Sequence, residues 1–461
     1  MKGSTKKILI TLLLINIYDL RRWELNFVNC ANIIDYNNDV IDVTELILNE
    51  TISQEVLEEN LNMLTPTSIN LSNRNLTFVP SKIKFLKNLI HFNSCNNALI
   101  DFCELPTSLK YINLSVNKIE NLPEHFFNLI NLEVIIVRHN YLSEFPKLIE
   151  NFINLKIIDF SFNNIFIIHS TIGELFNVEK IILMDNKIKS LPDSIGKLTK
   201  LNYIDLSLNN LSKFPDNCSN LCMLYQLNLS DNSFTNIETI CNIKSIKILF
   251  LSRNYISLIP NNINNLENLQ CLDLSGNAIL NIKPICNLKV LETLYLCDNN
   301  ISEISSNICN LKNLSFLSLS DNNISYLPKE LIKCKNLRVL FLKNNEIKTI
   351  HNDLFEMLSN LDFLDLRGNS IKYPADSTDI DIHELKVKMG DKLLIDDYKI
   401  NIYNIYAILN AKPIKFKFLN LRKCRPYTLP LHIYSEQELF DKINDWEKNL
   451  IKMNTKLTIS L

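Results

Sequence analysis

One pattern, Leu-x-x-Leu-x-Leu-x-x-Asn-x-Leu, recurs along most of this chain and constrains its fold more than any other feature. Its asparagine returns every 20 to 24 residues, and an opening copy has Arg74 in the same position. The repeat asparagines are Asn97, Asn117, Asn140, Asn163, Asn186, Asn209, Asn232, Asn254, Asn277, Asn299, Asn322, Asn345 and Asn369. A period of this size predicts a solenoid in which each repeat stacks on the next.

The Leu-x-Leu part of each repeat has the alternation of a short β-strand. In one repeat Leu227 and Leu229 are predicted to face the core, whereas Asn228 between them faces solvent. The repeat asparagine marks the turn after the strand, where its buried amide must bond backbone groups of its own turn and of the neighbouring one. With one strand per repeat, the pattern predicts an α/β solenoid with a parallel sheet of about 14 strands.

Many repeats continue with Leu-Pro-x-x-Ile-x-x-Leu, as at Leu122-Pro123 and Leu191-Pro192. Proline there suits an extended entry into a short helix or turn. With these motifs the chain resembles leucine-rich repeat proteins over residues 66–374. Its 23-residue Leu-Pro units are similar to those of intracellular Ras-associated repeat proteins, and its 22-residue units to those of phosphatase regulators. The resemblance implies a horseshoe with short helices or turns on its convex side and a concave sheet that binds another protein.

The residues before the repeats have two interpretations. Residues 2–18 combine three lysines with an apolar run, which is typical of a secretory signal and too short to span a bilayer. We therefore expect a signal-like segment at 1–30 and a secretory or extracellular location. The alternative is a buried first helix in a cytoplasmic protein. In both cases residues 31–65 are predicted to form an N-terminal cap.

The repeat pattern decays past Asn369. Ile382, Leu385 and Val387 predict one degenerate last strand, with Gly390 in the asparagine position.

The remaining tail no longer follows the period. Residues 375–461 are predicted to be a C-terminal cap or extension, because terminal repeats must cover an exposed core. Within it, residues 412–425 are basic and contain no acid. We interpret this run as a solvated face of the cap; the less favoured alternative is contact with an anionic membrane or a phosphorylated partner.

Motifs for catalysis or for a cofactor do not occur in the sequence. All 6 glycines are isolated, so neither a Walker loop nor a dinucleotide-binding turn can form. No histidine lies in an HExxH motif, and no serine lies in a Gly-x-Ser-x-Gly elbow. We therefore predict no enzymatic activity, no cofactor and no metal site. The net charge of −2 gives no general attraction to nucleic acid.

Three cysteines replace isoleucine in register. Cys218, Cys241 and Cys286 take the position that Ile172 fills in another repeat. The simplest interpretation is a small buried hydrophobic side chain. A disulfide between Cys218 and Cys241, which would stack on neighbouring turns, is the alternative.

The solvent-facing residue between the two strand leucines is often apolar or aromatic. Phe250, Tyr295 and Phe341 are predicted to lie in a row, with about 10 Å between them. Exposed aromatic rows and arginines are typical of interface hot spots. The alternative is that side-chain crowding on the curved sheet shields them. The predicted partner-binding residues are Ile136, Arg138, Ile182, Met184, Phe250, Arg253, Tyr295, Phe316, Phe341, Lys343, Phe363 and Arg367.

These observations favour a non-catalytic scaffold that holds a protein partner on its concave sheet. A rim of mixed charge, with Arg138 and Arg253 opposed by Asp185 and Asp231, suits a protein better than a nucleic acid. The scaffold is predicted to serve in secreted or surface recognition. The alternative is an intracellular signalling adaptor, or a regulatory subunit in a phosphatase or small-GTPase pathway.

Overall fold

A computed structural model describes residues 66–371 and 379–396, all within one compact unit of the chain. These residues form an open solenoid in which fifteen short strands hydrogen-bond in chain order into one sheet. Each strand is parallel to the next. The fold predicted from the repeats is confirmed. The predicted signal-like segment 1–30, the cap 31–65 and the basic run 412–425 lie outside the described residues.

Each strand of three residues places its central side chain in the core and its other two side chains on the opposite face. Leu272, at the centre of its strand, pairs in register with Leu249 on one side and Leu294 on the other, and all three are fully buried. The core is therefore a continuous stack of repeat leucines and isoleucines, as parallel alternation requires. The strands are β1 (Ser68–Asn70), β2 (His91–Asn93), β3 (Tyr111–Asn113), β4 (Val134–Ile136), β5 (Ile157–Asp159), β6 (Lys180–Ile182), β7 (Tyr203–Asp205), β8 (Gln226–Asn228), β9 (Ile248–Phe250), β10 (Cys271–Asp273), β11 (Thr293–Tyr295), β12 (Phe316–Ser318), β13 (Val339–Phe341), β14 (Phe363–Asp365) and β15 (Leu393–Leu394).

Short 3-10 helices return the chain from one strand to the next. Pro123 and Pro192 stand directly before such helices in extended backbone, with φ of −66° and −73°, as the Leu-Pro motif predicts. The 3-10 helices are Ser81–Phe85, Glu124–Asn128, Ile149–Asn151, Ser170–Glu174, Asp193–Lys197, Asp216–Asn220, Ile240–Asn242, Asn261–Asn265, Lys283–Asn287, Ser306–Asn310, Lys329–Lys333, Asn352–Leu354 and Gly390–Lys392, and the α-helices are α1 (Phe355–Ser359) and α2 (Ile382–Met389). No helix in the described ranges has the length and apolar character that crossing a membrane requires.

The repeat asparagines form a ladder of hydrogen bonds through the solenoid. The Asn209 amide donates to the carbonyls of Leu206 (3.1 Å) in its own turn and Leu183 (2.9 Å) in the preceding one. Its Oδ1 accepts from the Ile188 backbone N–H at 3.0 Å. Each buried amide is thus satisfied by two neighbouring turns, which is the structural role predicted for it.

The residue before each repeat asparagine adopts a left-handed backbone, and we call these positions the left-handed row. The chain needs this conformation to leave the strand, and glycine, asparagine and aspartate adopt it most readily. The row consists of Asn73, Asn96, Val116, His139, Phe162, Asp185, Leu208, Asp231, Arg253, Gly276, Asp298, Asp321, Asn344 and Gly368, with φ between 50° and 70°. It contains bulky residues as well as the expected small ones.

The in-register cysteines are buried in the core as free thiols. Cys218, Cys241 and Cys286 are fully buried. The Cys218 Sγ donates to the Thr239 carbonyl at 3.3 Å rather than joining Cys241. The alternative of a disulfide between them is therefore wrong, and the interpretation as buried hydrophobic side chains is confirmed. Burial raises the pKa of the Cys218 thiol to about 11, which keeps it neutral.

The end of the described solenoid differs from the sequence prediction. Ile382, Leu385 and Val387 lie on α2 rather than on a strand, and the last strand is β15. Ile382 and Leu385 are buried on one face of this helix, whereas Val387 is 72% exposed. Gly390, which the sequence places in the position of a repeat asparagine, instead caps the C-terminus of this helix with a φ of 58°.

Candidate partner-binding surface

The side chains that point away from the core form a continuous surface, which we call the sheet face. It consists of the first and third residues of each three-residue strand, together with the residue two positions after the end of the strand. Eleven of the twelve predicted residues lie on this face, seven of them in strands and four of them two residues after a strand. Arg253 is the exception, because it belongs to the left-handed row.

Four aromatic rings contact one another in sequence across β11 to β14 with their planes tilted by 45° to 49°, and we call them the ring run. Ring centroids are 4.8 Å apart for Tyr295 and Phe316, 5.6 Å for Phe316 and Phe341, and 5.1 Å for Phe341 and Phe363. The rings alternate between third and first strand positions, so Tyr295 and Phe341 lie in one column of the sheet and Phe316 and Phe363 in the neighbouring column. Such tilted contacts between rings are individually favourable.

The rings of the ring run differ in how much of each faces solvent. Phe316 is only 4% exposed, because Tyr295 and Phe341 flank its ring. The other three rings are half-buried. Burial, followed by the nearby Cys271 and Asp273, raises the pKa of the Tyr295 phenol, so its hydroxyl stays protonated and able to donate. The ring run therefore offers a partly exposed apolar surface with one polar group.

An ion pair between an exposed arginine and a buried aspartate lies beside the ring run at β14. Arg367 donates from Nε and Nη2 to the two carboxylate oxygens of Asp365, at 2.9 and 2.6 Å. Asp365 is 2% exposed, whereas Arg367 is exposed. Hydrogen bonding to Asp365 raises the pKa of Arg367. Lys343 is half-buried and lies two residues after β13, as Arg367 does after β14.

Phe250 is not part of the ring run. The strand β10 lies between Phe250 and Tyr295, and it places Asp273 at the position between them. Burial raises the pKa of the Asp273 carboxyl. The Arg253 Nη1 lies 3.5 Å from the Oδ1 of Asp231 on the neighbouring turn.

The remaining predicted residues form a second group on β4 and β6. Ile136, Arg138, Ile182 and Met184 are all half-buried. The strand between them contributes Asp159, whose Oδ2 lies 3.5 Å from the Arg138 Nε. Burial raises the pKa of the Asp159 carboxyl, and Arg138 opposes that effect. The structure thus separates the predicted residues into this group, the ring run and Phe250.

Aspartates on the sheet face have a structural function that the sequence prediction missed. Asp159, Asp205 and Asp273 each accept a hydrogen bond from the backbone N–H two residues later, at 3.1, 3.0 and 2.9 Å. Asparagines at the same position do likewise, as Asn113 does for Ser115 at 3.0 Å. The recurring Asp/Asn-x-Ser spacing is the signal for this bond.

Two other kinds of site, a metal site and a surface groove, have weaker support within the described residues. No group of three or more His, Cys, Asp or Glu side chains within the described residues could hold a metal ion. A groove of about 710 Å³ lies beside the segments that lead into the 3-10 helices, between Glu303, Tyr326 and His351. Polar groups of its lining already have partners, since the Tyr326 hydroxyl donates to Glu303 at 3.4 Å and the Lys329 Nζ lies 3.4 Å from the neighbouring Asp353. The sheet face is therefore the surface with the strongest features for binding.

Comparisons with known proteins agree with this architecture. Family models described as "Leucine rich repeat" and "Leucine-rich repeat region" match residues 176–234 and 228–366. A solved leucine-rich repeat protein of Leptospira interrogans is 30% identical, with a TM-score of 0.67 over 74% of this chain and 87% of that one. This chain belongs to the leucine-rich repeat family.

Other solved leucine-rich repeat structures are similar at lower identity. An internalin, InlF, of Listeria monocytogenes is 22% identical, with a TM-score of 0.57 over 75% of this chain and 89% of that one, and shows the fold alone. The TLR13 chain of a complex with ssRNA13 is 26% identical, with a TM-score of 0.60 over 73% of this chain and 51% of that one. No curated protein matches this leucine-rich repeat chain.

Proposed function

We propose that this leucine-rich repeat chain is a non-catalytic scaffold that binds a protein partner on its sheet face. The observation that carries the proposal is the ring run, which places Tyr295, Phe341 and Phe363 side by side with part of each ring facing solvent. Adjacent half-exposed rings favour a covering partner, because aromatic side chains bury much apolar area on binding.

The electrostatics of the sheet face favour a protein over a nucleic acid. Asp159, Asp205, Asp273 and Asp365 hold third positions of their strands, where carboxylates would repel a phosphate backbone. The solved TLR13 complex contains single-stranded RNA. In this chain Arg138 and Arg367 are each already paired with a carboxylate of the sheet face.

Two cellular settings fit this scaffold. Residues 2–18 favour secreted or surface recognition. The core cysteines Cys218, Cys241, Cys286 and Cys334 are free thiols, which is more usual in a reducing compartment and favours an intracellular adaptor or regulatory subunit. The binding surface proposed is the same in both.

The test is a variant with Tyr295→Ala, Phe341→Ala and Phe363→Ala in the full chain. Immobilised wild-type and variant proteins are exposed to extract of the cells that make the chain, and the retained proteins are quantified. We expect at least one protein to be retained at least tenfold less by the variant, since each hot-spot ring contributes about 1–2 kcal/mol or more to binding.

The control changes another outward side chain of the same sheet. Ser68→Ala alters a half-buried first-position residue on β1, ten strands from the first ring of the ring run. It should retain the same proteins as the wild type. Identical retention by the wild type and the ring-run variant, with both folded, would show that the ring run binds no partner.

A further inference from the structure

The residue two positions after each of ten successive 3-10 helices is exposed. Each of these residues also lies four positions before the next strand, where the chain leaves the helix, so we call them the exit column. The exit column consists of Ile130, Ile153, Phe176, Thr199, Cys222, Lys244, Glu267, Lys289, Lys312 and Lys335. Because it precedes the strands, it is a surface separate from the sheet face.

Hydrogen bonds between turns keep the exit column in line. The Asn154 side-chain amide donates to the Ile130 carbonyl at 3.2 Å. In a later pair of turns, the Asn336 amide donates to the Lys312 carbonyl at 2.7 Å. Each bond ties the backbone of a column residue to the next turn of the chain, so the side chains of the column stand in one row on the solenoid.

The first three members of the exit column form an apolar patch. Ile130, Ile153 and Phe176 lie on consecutive turns and are 50%, 61% and 54% exposed. A single exposed apolar side chain is ordinary, whereas several neighbours together mark a contact with a partner or a membrane. One side chain per turn makes a patch that is long and narrow, which suits insertion into a fluid lipid surface.

The opposite end of the exit column is basic. Its last five members are four lysines and Glu267. The ion pairs that lysines form within residues 66–371 and 379–396 involve other lysines, so these four are available to an outside anion. Each lysine held near an anionic bilayer adds to the attraction between protein and membrane.

We propose that the exit column docks the chain on an anionic lipid bilayer. The apolar patch enters the boundary between headgroups and acyl chains, while the lysines bind the lipid phosphates and carboxylates. Exposed apolar side chains in line with lysines are the combination that holds proteins at such surfaces. A nucleic acid would use the lysines but leave the apolar patch bare, so lipid fits the whole column better. The inference goes beyond the proposed function, because the sheet face stays open to its own partner.

Binding of the purified full chain to sedimented vesicles tests the inference. The vesicles contain phosphatidylcholine and phosphatidylserine in equal amounts, or phosphatidylcholine alone. We expect the wild type to bind the mixed vesicles and to bind phosphatidylcholine alone about tenfold more weakly, since the lysines need anionic headgroups. The variant with Lys289→Gln, Lys312→Gln and Lys335→Gln should bind the mixed vesicles about tenfold more weakly than the wild type.

A charge-matched control separates the exit column from net charge. Lys118, Lys187 and Lys213 are exposed and come shortly after repeat asparagines, away from the exit column. The variant with Lys118→Gln, Lys187→Gln and Lys213→Gln loses the same charge and should bind the mixed vesicles within about twofold of the wild type. An equal loss of binding in both lysine variants would assign the effect to net charge and overturn the inference.

The apolar patch has its own test. Ile153→Ser with Phe176→Ser should weaken binding to the mixed vesicles about fivefold, because less apolar area enters the bilayer. Tyr255 and Leu258 are 68% and 75% exposed outside the exit column, so Tyr255→Ser with Leu258→Ser should leave binding unchanged. All the substituted side chains are exposed, so the melting temperature should stay within about 2 °C of the wild type in every variant.

Three results would overturn the inference: no binding of the wild type to the mixed vesicles, full binding by the folded lysine variant of the column, or full binding by its folded serine variant. Binding of single-stranded RNA through the column lysines, without binding to vesicles, would overturn it in favour of a nucleic acid. The variant of the ring run should bind the vesicles like the wild type, so failure of this inference and failure of the proposed function are distinguishable.

Discussion

At the scale of the residue, each turn of the solenoid depends on one buried amide. Asn209 satisfies two carbonyls and one N–H that no solvent reaches. A second, exposed series of asparagines lies after the 3-10 helices, where Asn154 donates to the Ile130 carbonyl at 3.2 Å. The two series make the same kind of bond in very different surroundings.

This difference gives a matched pair of substitutions. Asn209→Ala should lower the free energy of unfolding by about 2–4 kcal/mol, because it leaves buried backbone groups without partners. Asn154→Ala should cost less than about 1 kcal/mol, since water can replace its single exposed bond. Urea denaturation of both variants measures the difference. Equal costs would contradict the structural role assigned to the buried ladder.

The sequence predicts positions on the sheet face better than it predicts contacts there. Alternation along the strands correctly predicts that Phe316 and Phe341 point outward, because the phase of a strand is fixed by its buried leucines. It leaves open which rings are shielded by their neighbours, as Phe316 is, since ring packing depends on side-chain rotamers across strands. The pairing of Arg138 with Asp159 cannot be predicted from the sequence for the same reason.

At the scale of the element, a strand of three residues is stable only because its central side chain joins the stack of the core. Leu294 is fully buried between Leu272 and Leu317, whereas Thr293 beside it points to the sheet face. The pattern of the repeat fixes this phase without ambiguity. Elements with no such pattern are harder to predict, as the end of the described solenoid shows.

Neighbouring positions in β11 should therefore respond very differently to truncation. Leu294→Ala should lower the free energy of unfolding by about 2–5 kcal/mol through lost burial and a residual cavity. Thr293→Ala should change it by less than about 1 kcal/mol. Thermal or urea unfolding distinguishes the two, and a small effect of Leu294→Ala would mean that the core stack is wrong.

The repeat pattern predicts a strand at the position of α2, although the sequence there also contains a helical signal. Asp381 accepts a hydrogen bond from the His383 N–H at 2.8 Å, and Glu384 follows it at capping-box spacing. The buried residues Ile382, Leu385 and Met389 recur with the period of a helix. The repeat pattern, continued past Asn369, predicts a strand because it takes no account of the cap residue or of the helical period.

At the scale of the whole molecule, a solenoid offers a long surface on which distant groups act together. The ring run at β11 to β14 and the group around Arg138 at β4 to β6 stand on the same sheet. The period alone predicts this arrangement, because stacked repeats place equivalent residues in columns. The identity of the partner does not follow from the fold, since leucine-rich repeats share the core and differ in their outward residues.

The measurement that tests the central claim most directly is photo-crosslinking in the cells that make the chain. A benzophenone amino acid replaces Phe341 in the ring run, or Met223, which is 58% exposed after the 3-10 helix Asp216–Asn220. The account predicts a specific crosslinked protein from position 341 and none of that protein from position 223. Crosslinks only from position 223, or the same products from both positions, would contradict binding on the sheet face.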